Sequence, residues 1–226
     1  MFTVAVVGAE STGKSQLVQA LHATAASNGF NCHTVDEHLR AWVDTHQRTP
    51  RAHEQTSIAS AQTEAAQQAH SQLAALAAPN GQRLLLLDTH AAMTAAYSAY
   101  YFNDESLWDM AFAAQPAPQL VLLMGLDLPW QADGLQRDGH AAQLGVDRLL
   151  RDALQRHGMV FQVIYGQGAQ RHSNAWQAIT AAFAAHQRLD AGNAKAPPDT
   201  ALNFHAWGCE DCSDPDCERR LFKGLF

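Results

Sequence analysis

The sequence lacks the segments that a membrane protein needs. Its longest apolar runs, Leu84–Leu87 and Leu120–Leu126, are far shorter than the roughly 20 residues that a membrane-spanning helix requires. No basic segment with a signal-type cleavage site precedes the first apolar run, which begins at Phe2. We therefore expect a cytoplasmic protein that has no membrane partner.

Positive charge is also scarce. The chain has 15 Lys and Arg residues against 22 Asp and Glu residues, which gives a formal net charge of -7 at pH 7. Non-specific binding to nucleic acid depends on Lys and Arg side chains that neutralise phosphates. We expect a small-molecule substrate and no nucleic-acid partner, while the composition leaves the oligomeric state open.

Cysteine is rare outside the C-terminal end. Only four cysteines occur, and three of them lie in the last eighteen residues. A cytoplasmic protein seldom contains a disulfide framework, so this cluster favours a metal site. With 226 residues and 47% hydrophobic residues, the chain is long enough for one domain with a real core and a small appendage.

The segment Gly8–Ser15 reads GAESTGKS and matches the pattern G-x-x-x-x-G-K-[ST]. It lies between an apolar run and a segment with helical periodicity, which is the context in which this pattern forms a P-loop. Glycines let the backbone wrap around an anion, and the N–H groups of the loop and of the helix N-terminus attract phosphates. A chance glycine-rich turn is the alternative. The predicted ATP-binding residues are Gly8, Glu10, Ser11, Thr12, Gly13, Lys14 and Ser15.

Two residues of this loop have predicted roles in catalysis. We expect the Lys14 ammonium group to reach the β- and γ-phosphates of ATP. We expect the Ser15 hydroxyl to bind Mg²⁺, an ion that usually keeps several waters and few protein ligands. The next position holds Gln16, so the chain has no equivalent of a nucleotide-binding threonine (Thr) at position 16, and the predicted ATP site ends at Ser15.

Five short apolar segments alternate with helical patterns, which predicts an α/β fold: a P-loop NTPase with a five-stranded parallel sheet flanked by helices. The predicted strands are Phe2–Val7, Asn31–Asp36, Arg83–Asp88, Leu120–Leu126 and Val160–Tyr165. The predicted helices are Lys14–Ala26, two within Leu39–Ala78 with the longer starting near Thr49-Pro50, Ala91–Phe102, Ser106–Ala114, Val146–His157 and Asn174–Arg188. Residues 127–145 are predicted to form a long loop, of a length that is usually functional or mobile.

The same patterns divide the chain into three parts. Residues 1–189 are the predicted P-loop kinase domain, residues 190–200 a polar, proline-containing linker, and residues 201–226 a Cys-rich tail.

Carboxylates follow two of the predicted strands. Asp88 ends the run of four leucines and resembles a Walker B carboxylate that organises Mg²⁺, although an Asp there could also merely cap the next helix. Glu37 follows the second strand and is our preferred general base for an acceptor hydroxyl, with Asp88 as the rival. A solvated loop charge is the alternative reading of Glu37.

Four segments together resemble one family: GAESTGKS, TVDEHLR, LLLLDT and the pattern D-x-P-W-x-x-D-G that begins at Asp127. They are similar to the nicotinamide-riboside kinase domain of bacterial bifunctional NAD-synthesis regulators and of their stand-alone, AAA-type relatives. The resemblance covers roughly Thr3 to Ala185. It implies transfer of the γ-phosphoryl group of ATP to the 5′-hydroxyl of nicotinamide riboside. No adenylyltransferase or DNA-binding region precedes the kinase part, so we expect neither activity.

The resemblance also implies roles for residues of the 127–145 segment. Trp130 offers its ring face to the pyridinium ring, or anchors a lid. Asp133 binds ribose hydroxyls or complements the positive ring. Arg137 neutralises charge on the transferring phosphoryl group, with help from Arg148 or Arg151, and ordinary surface arginines are the alternative.

The chain departs from the family pattern at two places. The family has D-T-D after the third strand, where this chain has Asp88-Thr89-His90. Arg137 comes three residues after the Asp133-Gly134 pair, whereas the arginine of the family commonly comes two residues after it.

The tail contains His205, Cys209, Cys212 and Cys217, with the cysteines spaced C-x₂-C-x₄-C. Three thiolates and one imidazole satisfy a tetrahedral Zn²⁺ ion, so we predict a zinc site. An iron–sulfur cluster with an external fourth ligand and free thiols on a docked tail are the alternatives.

Two other functions compete with a kinase. One is a nucleotide-dependent ATPase or switch of the same family that lacks an acceptor site. The other is a metal-sensing or scaffold protein that acts through its tail. Convergence of Glu37, Trp130 and Asp133 at the phosphate end of the nucleotide would favour the kinase.

Overall fold

The computed structural model describes residues 1–77, 82–129 and 139–190. These ranges contain five strands that alternate with helices, as the sequence predicted. The strands are β1 (Phe2–Val7), β2 (Asn31–Val35), β3 (Arg83–Asp88), β4 (Leu120–Met124) and β5 (Phe161–Ile164). The helices are α1 (Lys14–Ser27), α2 (His38–His46), α3 (Gln55–Ala75), α4 (Ala91–Phe102), α5 (Leu107–Ala113), α6 (Gly139–Arg156) and α7 (Gly168–Asp190).

The five strands form one parallel sheet in the order β2-β3-β1-β4-β5. The central strand β1 pairs Val4 with Leu86 of β3 on one side and Val6 with Leu122 of β4 on the other. This arrangement confirms the predicted fold class. In open sheets of this kind, ligands bind beyond the carboxyl ends of the strands.

Helices cover both faces of the sheet. Leu84 and Leu86 belong to a core packed beneath α1 and α7, while Leu85 and Leu87 belong to the core beneath α3, α4, α5 and α6. All four leucines are at most 1% exposed. An uninterrupted apolar run is needed in β3 because both of its faces are buried.

Helix α4 is enclosed by its neighbours. Residues Ala91–Ala99 are all buried, and most of their side chains are small, as expected of a helix that is packed on every side. A Cβ atom placed on Gly145 of α6 would lie 2.2 Å from the Tyr100 ring, so only glycine allows α6 to pack this closely against α4.

Two helices begin earlier than the sequence predicted. Helix α6 begins at Gly139, although the sequence predicted loop as far as residue 145. The apparent loop character of this segment came from its polar and glycine residues, but Ala142 and Gln143 are buried there and stabilise the first turns. Helix α7 begins at Gly168 and not at Asn174, because Arg171 in its first turn is buried in polar contacts.

The start of the longer helix after β2 also differs from the prediction. A single 3-10 turn, Ala52–Glu54, precedes α3, whose first residue is Gln55. The Glu54 carboxylate accepts hydrogen bonds from the Arg51 backbone N–H at 2.8 Å and from the Arg48 guanidinium at 2.6 and 2.7 Å. These bonds tie the segment after Pro50 into a separate turn before the helix begins.

Among the helices in the part of the chain that the structure describes, none combines the length and the apolar character that crossing a membrane requires.

Candidate active site

The carboxyl ends of three neighbouring strands bring the predicted catalytic residues to one edge of the sheet. The P-loop follows β1, Glu37 follows β2, and Asp88 is the last residue of β3. Because β3 lies between β2 and β1, Asp88 lies between Glu37 and the P-loop. The topology therefore places one acid at the end of β3 and one after β2, both on the same side of the phosphate-binding loop.

The structure explains why both motif positions of the P-loop, Gly8 and Gly13, are glycines. A Cβ atom on Gly8 would lie only 2.8 Å from the Cβ of Met124, so the loop passes β4 too closely for any side chain. Gly13 precedes the first residue of α1 in a left-handed conformation, with a φ of 79°. Glycine adopts that conformation without steric cost.

The Lys14 side chain is hydrogen-bonded to the backbone of the P-loop. Its ammonium group donates hydrogen bonds to the carbonyl oxygens of Gly8 at 2.9 Å and Ala9 at 3.1 Å, and the residue is 8% exposed. The Thr12 hydroxyl donates to the same Ala9 carbonyl at 2.8 Å. The loop backbone and the lysine charge thus form one preorganised unit, as an anion-binding loop requires.

Position 16 supplies no hydroxyl group to the site. The residue there is Gln16 and not Thr, and it is exposed in the first turn of α1. A glutamine amide lacks the hydroxyl oxygen with which a threonine could bind a phosphate or Mg²⁺. The predicted site thus has no threonine at position 16, and Ser15 is the hydroxyl residue that follows Lys14 in this loop.

Asp88 has the properties of a magnesium ligand. Burial raises the pKa of its carboxyl group, and a hydrogen bond from the Ser15 hydroxyl opposes that rise. The negative charge of Glu37 raises the pKa further, whereas Lys14 and Arg40 lower it. Its Oδ1 atom is buried without a hydrogen-bond partner. A carboxylate oxygen that needs a partner, next to a serine hydroxyl, fits a hard cation such as Mg²⁺.

The described residues hold no group of three or more His, Cys, Asp and Glu side chains that could bind a metal ion. A dense metal cluster is therefore absent from that part of the chain. Mg²⁺ at a phosphate site does not need one, because it usually takes one or two protein carboxylates together with substrate phosphates.

Glu37 occupies the N-cap position of α2, yet its side chain makes no capping hydrogen bond. Its carboxylate lies 3.5 Å from the Arg40 guanidinium, and the side chain is 10% exposed. The charge of Glu37 acts on Asp88 and also on the buried Tyr97 of α4. Glu37 therefore faces the site and not the solvent, which argues against the alternative of a solvated loop charge.

Tyr97 forms part of the same acidic region. Burial raises the pKa of its phenol, and the charges of Glu37 and Glu10 raise it further. The phenol therefore stays neutral and able to donate a hydrogen bond. Glu10, Glu37 and Asp88 are thus acidic residues of the region beside the P-loop, in which Lys14 and Arg40 also act on Asp88. Tyr97 adds an aromatic ring to it.

Sequence reasoning missed Arg171, which joins three loops at this edge. Its guanidinium donates to the carbonyl oxygens of Thr12 at 2.7 Å, Gly166 at 2.6 Å and Gly125 at 3.3 Å, and it pairs with Asp127. Arg171 is 4% exposed. No local pattern marks this arginine, because its partners come from distant parts of the chain.

Gln143 was also missed, because its segment was predicted to be loop. It is 1% exposed, and its side-chain amide donates to the Glu10 carbonyl at 2.9 Å. The amide oxygen is 3.1 Å from Nδ1 of His140. The first turns of α6 are therefore fastened to the middle of the P-loop.

His90 explains how the chain tolerates its departure from D-T-D. It is the N-cap of α4, and its Nδ1 atom accepts a hydrogen bond from the Ala92 backbone N–H at 3.2 Å. Burial lowers its pKa to about 4, so the imidazole is neutral near pH 7 and can act as an acceptor. His90 thus fills the capping role for which acidic residues are also well suited.

Several predicted residues lie outside the described part of the chain: Trp130, Asp133, Arg137, His205, Cys209, Cys212 and Cys217. Their roles remain predictions. Of the two helper arginines, Arg148 is exposed, and the Arg151 guanidinium lies 2.7 Å from the buried Asp147 carboxylate one helical turn away.

Comparisons with known proteins identify relatives of this chain. A family model described as an AAA domain matches residues 3–171. The chain is 27% identical over 160 residues to the trifunctional NAD biosynthesis/regulator protein NadR of Salmonella typhimurium, and 28% identical over 164 residues to NadR of Escherichia coli. Both alignments cover 70% of this chain but only 37% of the relative, so the chain spans well under half the length of these proteins.

Two solved structures share the fold. A NadR protein in complex with NR superposes with a TM-score of 0.59 at 18% identity, covering 80% of this chain and 50% of the other. A thymidylate kinase from Ehrlichia chaffeensis superposes with a TM-score of 0.55 at 13% identity, covering 80% of this chain and 97% of the other. At these identities, the likeness establishes a P-loop kinase fold.

Proposed function

We propose that this chain, which belongs to the AAA-domain family whose model matches residues 3–171, is an ATP-dependent kinase that phosphorylates nicotinamide riboside at its 5′-hydroxyl. Its product is then nicotinamide mononucleotide. The relatives in Salmonella and Escherichia coli are named for NAD biosynthesis, and one NadR structure was solved with NR. The sequence segments around Glu37, Asp88 and Trp130 support the same acceptor.

The observation that carries the proposal is the placement of Glu37. A nucleotide switch needs the P-loop and a Mg²⁺ carboxylate, but it does not need a second, largely buried acid beside them. Glu37 is such an acid: it is 10% exposed, makes no capping bond, and its charge reaches Asp88. These features support the proposal that Glu37 is the general base for an acceptor hydroxyl.

In the proposed reaction, the Glu37 carboxylate accepts the proton of the 5′-hydroxyl while the hydroxyl oxygen bonds to the γ-phosphorus. The bond between the γ-phosphorus and the bridging oxygen breaks, and ADP leaves with the electron pair. Protein catalysis of phosphoryl transfer consists mainly of positioning and charge stabilisation. Lys14 supplies positive charge at the phosphates, and Arg137 is proposed to do the same at the transferring group.

Ser15 and Asp88 are the residues proposed to hold Mg²⁺, which when bound supplies further neutralisation of phosphate charge. The Ser15 hydroxyl donates to Asp88, so both oxygen ligands already lie together. Trp130 and Asp133 are proposed to contact the pyridinium ring and the ribose. The acidic residues Glu10, Glu37 and Asp88 support the proposal of a cationic acceptor, since opposite charge favours binding.

The test is product analysis with Mg²⁺-ATP and a panel of acceptors. The panel contains nicotinamide riboside, other ribosides, deoxyribosides and thymidylate, and the readout is phosphorylated acceptor and not ADP alone. We expect one phosphorylated product from nicotinamide riboside. ADP release without any phosphorylated product would favour the nucleotide-dependent ATPase or switch, and a product from another member of the panel would reassign the acceptor.

We also propose that the tail after the linker 190–200 binds one Zn²⁺ ion through His205, Cys209, Cys212 and Cys217. The proposal is supported by the ligand types and by the C-x₂-C spacing. Protein purified without added metal should contain zinc near one equivalent, and a Cys209→Ser/Cys212→Ser double variant should lose it. Iron with sulfide would indicate a cluster instead, and three titratable tail thiols without metal would overturn the site and the metal-sensing function with it.

A further inference from the structure

Gln62 of α3 spans the turn that carries Glu37. Its amide oxygen accepts a hydrogen bond from the His38 backbone N–H at 2.8 Å, and its amide nitrogen donates to the Asp36 carbonyl at 3.4 Å. The residue is 4% exposed, although it is a polar side chain on a helix that otherwise buries mainly Ala, Leu and Ile toward the sheet. One side chain therefore holds the backbone on both sides of Glu37.

Hydrogen bonds from Gln62, and not from the Glu37 side chain, hold the start of α2. The first N–H groups of a helix have no partner inside the helix, and the N-cap side chain commonly accepts one of them. Glu37 is the N-cap of α2, but its side chain makes no such bond. The N–H of His38, the first residue of α2, donates to Gln62, whereas an N-cap side chain usually accepts from the second or third residue of a helix. The Glu37 carboxylate keeps only its ionic contact with Arg40 among the contacts that define this turn.

We propose that Gln62 is a positioning residue that holds Glu37 in the orientation needed to accept the proton of the acceptor hydroxyl. This inference rests on the proposed kinase function. Gln62 acts through the backbone of residues 36–38 and does not touch the reacting atoms.

A glutamine suits this role better than other residues of its size. It offers a donor and an acceptor on one neutral group, and the turn uses both. Glutamate at position 62 would still accept from His38 but could not donate to Asp36, and it would add a buried charge near Glu37 and Asp88. Leucine would fill the volume but would leave both backbone groups without their partner.

The first test compares Gln62→Leu and Gln62→Glu with Gln68→Leu, which changes an exposed glutamine on the same helix. We expect Gln62→Leu to lower kcat for the acceptor by roughly 10- to 100-fold, the range of a misplaced catalytic group, with the KM for ATP nearly unchanged. Gln62→Glu should also lower kcat, and Gln68→Leu should match the wild type. An equal loss in Gln62→Leu and Gln68→Leu would overturn the proposal.

The second test separates positioning from a general structural effect. In a Glu37→Gln background there is no base to position, so adding Gln62→Leu should change kcat by less than about 2-fold. If the two losses multiply, Gln62 acts independently of Glu37 and the proposal is wrong.

The third readout does not depend on activity. In the nucleotide-free protein, amide hydrogen exchange in a peptide covering residues 36–42 should be faster in Gln62→Leu than in the wild type or in Gln68→Leu. Unchanged exchange would overturn the role of Gln62 alone. Faster exchange in a protein that phosphorylates none of the acceptors would instead overturn the proposed function, and with it the catalytic part of this inference.

Discussion

Arg171 of α7 donates a hydrogen bond to the backbone carbonyl of Thr12 in the P-loop at 2.7 Å, across 159 positions of sequence. The same guanidinium reaches the loop after β4 and the turn after β5, and it pairs with Asp127. The backbone N–H of Gly166 donates to the other oxygen of Asp127 at 2.6 Å. The phosphate-binding loop is thus tied to the two neighbouring loops through one buried ion pair.

Replacing Arg171 by methionine should destabilise the protein strongly. The change leaves the buried Asp127 carboxylate without its charge partner, and losses of about 3–5 kcal/mol are typical when one member of a buried pair is removed. Lysine should not rescue the variant, because it cannot form the several directed bonds of a guanidinium. Chemical denaturation measures the change, and Arg188→Met, at an exposed position of the same helix, is the control. Equal stability of the two variants would contradict this role.

Replacing Lys14 by alanine should abolish nucleotide turnover or reduce it by orders of magnitude. The substitution removes the positive charge that the loop holds against the carbonyls of Gly8 and Ala9. Nucleotide binding by calorimetry and turnover by product formation are the measurements. Turnover close to that of the wild type would remove the P-loop assignment.

Glu37→Gln and Asp88→Asn should have different effects on catalysis. If Glu37 is the base, the amide should lower kcat while leaving the affinity for ATP nearly unchanged. Losing Asp88 should also raise the Mg²⁺ concentration required for half-maximal activity, because Asp88 and Ser15 form the proposed metal site. Initial rates across a Mg²⁺ titration test this division of roles, and matching titration curves for the two variants would refute it.

Asp88→Asn should also make the metal-free protein more stable at neutral pH. Burial raises the pKa of this carboxyl group above its ordinary value, so its ionised form is disfavoured in the folded state. The penalty develops as pH rises from the unfolded-state pKa through the folded-state pKa, and it is absent below the unfolded-state pKa. Thermal unfolding without metal should therefore show a higher Tm for the variant at pH 7 and a smaller difference near pH 3. A lower Tm for the variant than for the wild type at pH 7 would show that the Asp88 carboxylate does not destabilise the folded protein.

His90 should make folding stability depend on pH. Its folded-state pKa of about 4 lies below the ordinary value of 6.5, so the unfolded state binds more protons between these two values. Stability from this group is complete above pH 6.5 and is lost as pH falls toward 4, by about 3 kcal/mol in total. His90→Asn, which can still cap α4, should flatten the denaturation profile in this window. His33→Asn, at an exposed position of β2, is the matched control.

The fold class followed from the sequence because its signals are local. The β1–P-loop–α1 unit lies within consecutive residues, and the two motif glycines meet steric demands that any sequence with this loop must satisfy. Asp88 could be predicted for a similar reason: it ends a run of leucines that only a strand buried on both faces explains. Glu37 was predicted by its place after a strand and by resemblance, and the structure brings it to the same edge.

Only the tertiary structure identified Arg171, Gln143 and Gln62. Their partners at the site lie 159, 133 and 24 positions away in sequence, and each side chain occurs in a segment that otherwise resembles an ordinary surface or loop segment. In the sequence alone, a polar residue that is buried and hydrogen-bonded to a backbone loop looks the same as one that is exposed to water. Its burial depends on which helix packs beside which strand end, and that is determined by the strand order of the sheet. Local propensity and hydrophobic periodicity set the elements of this protein, whereas long-range packing selected the polar residues that hold the site together.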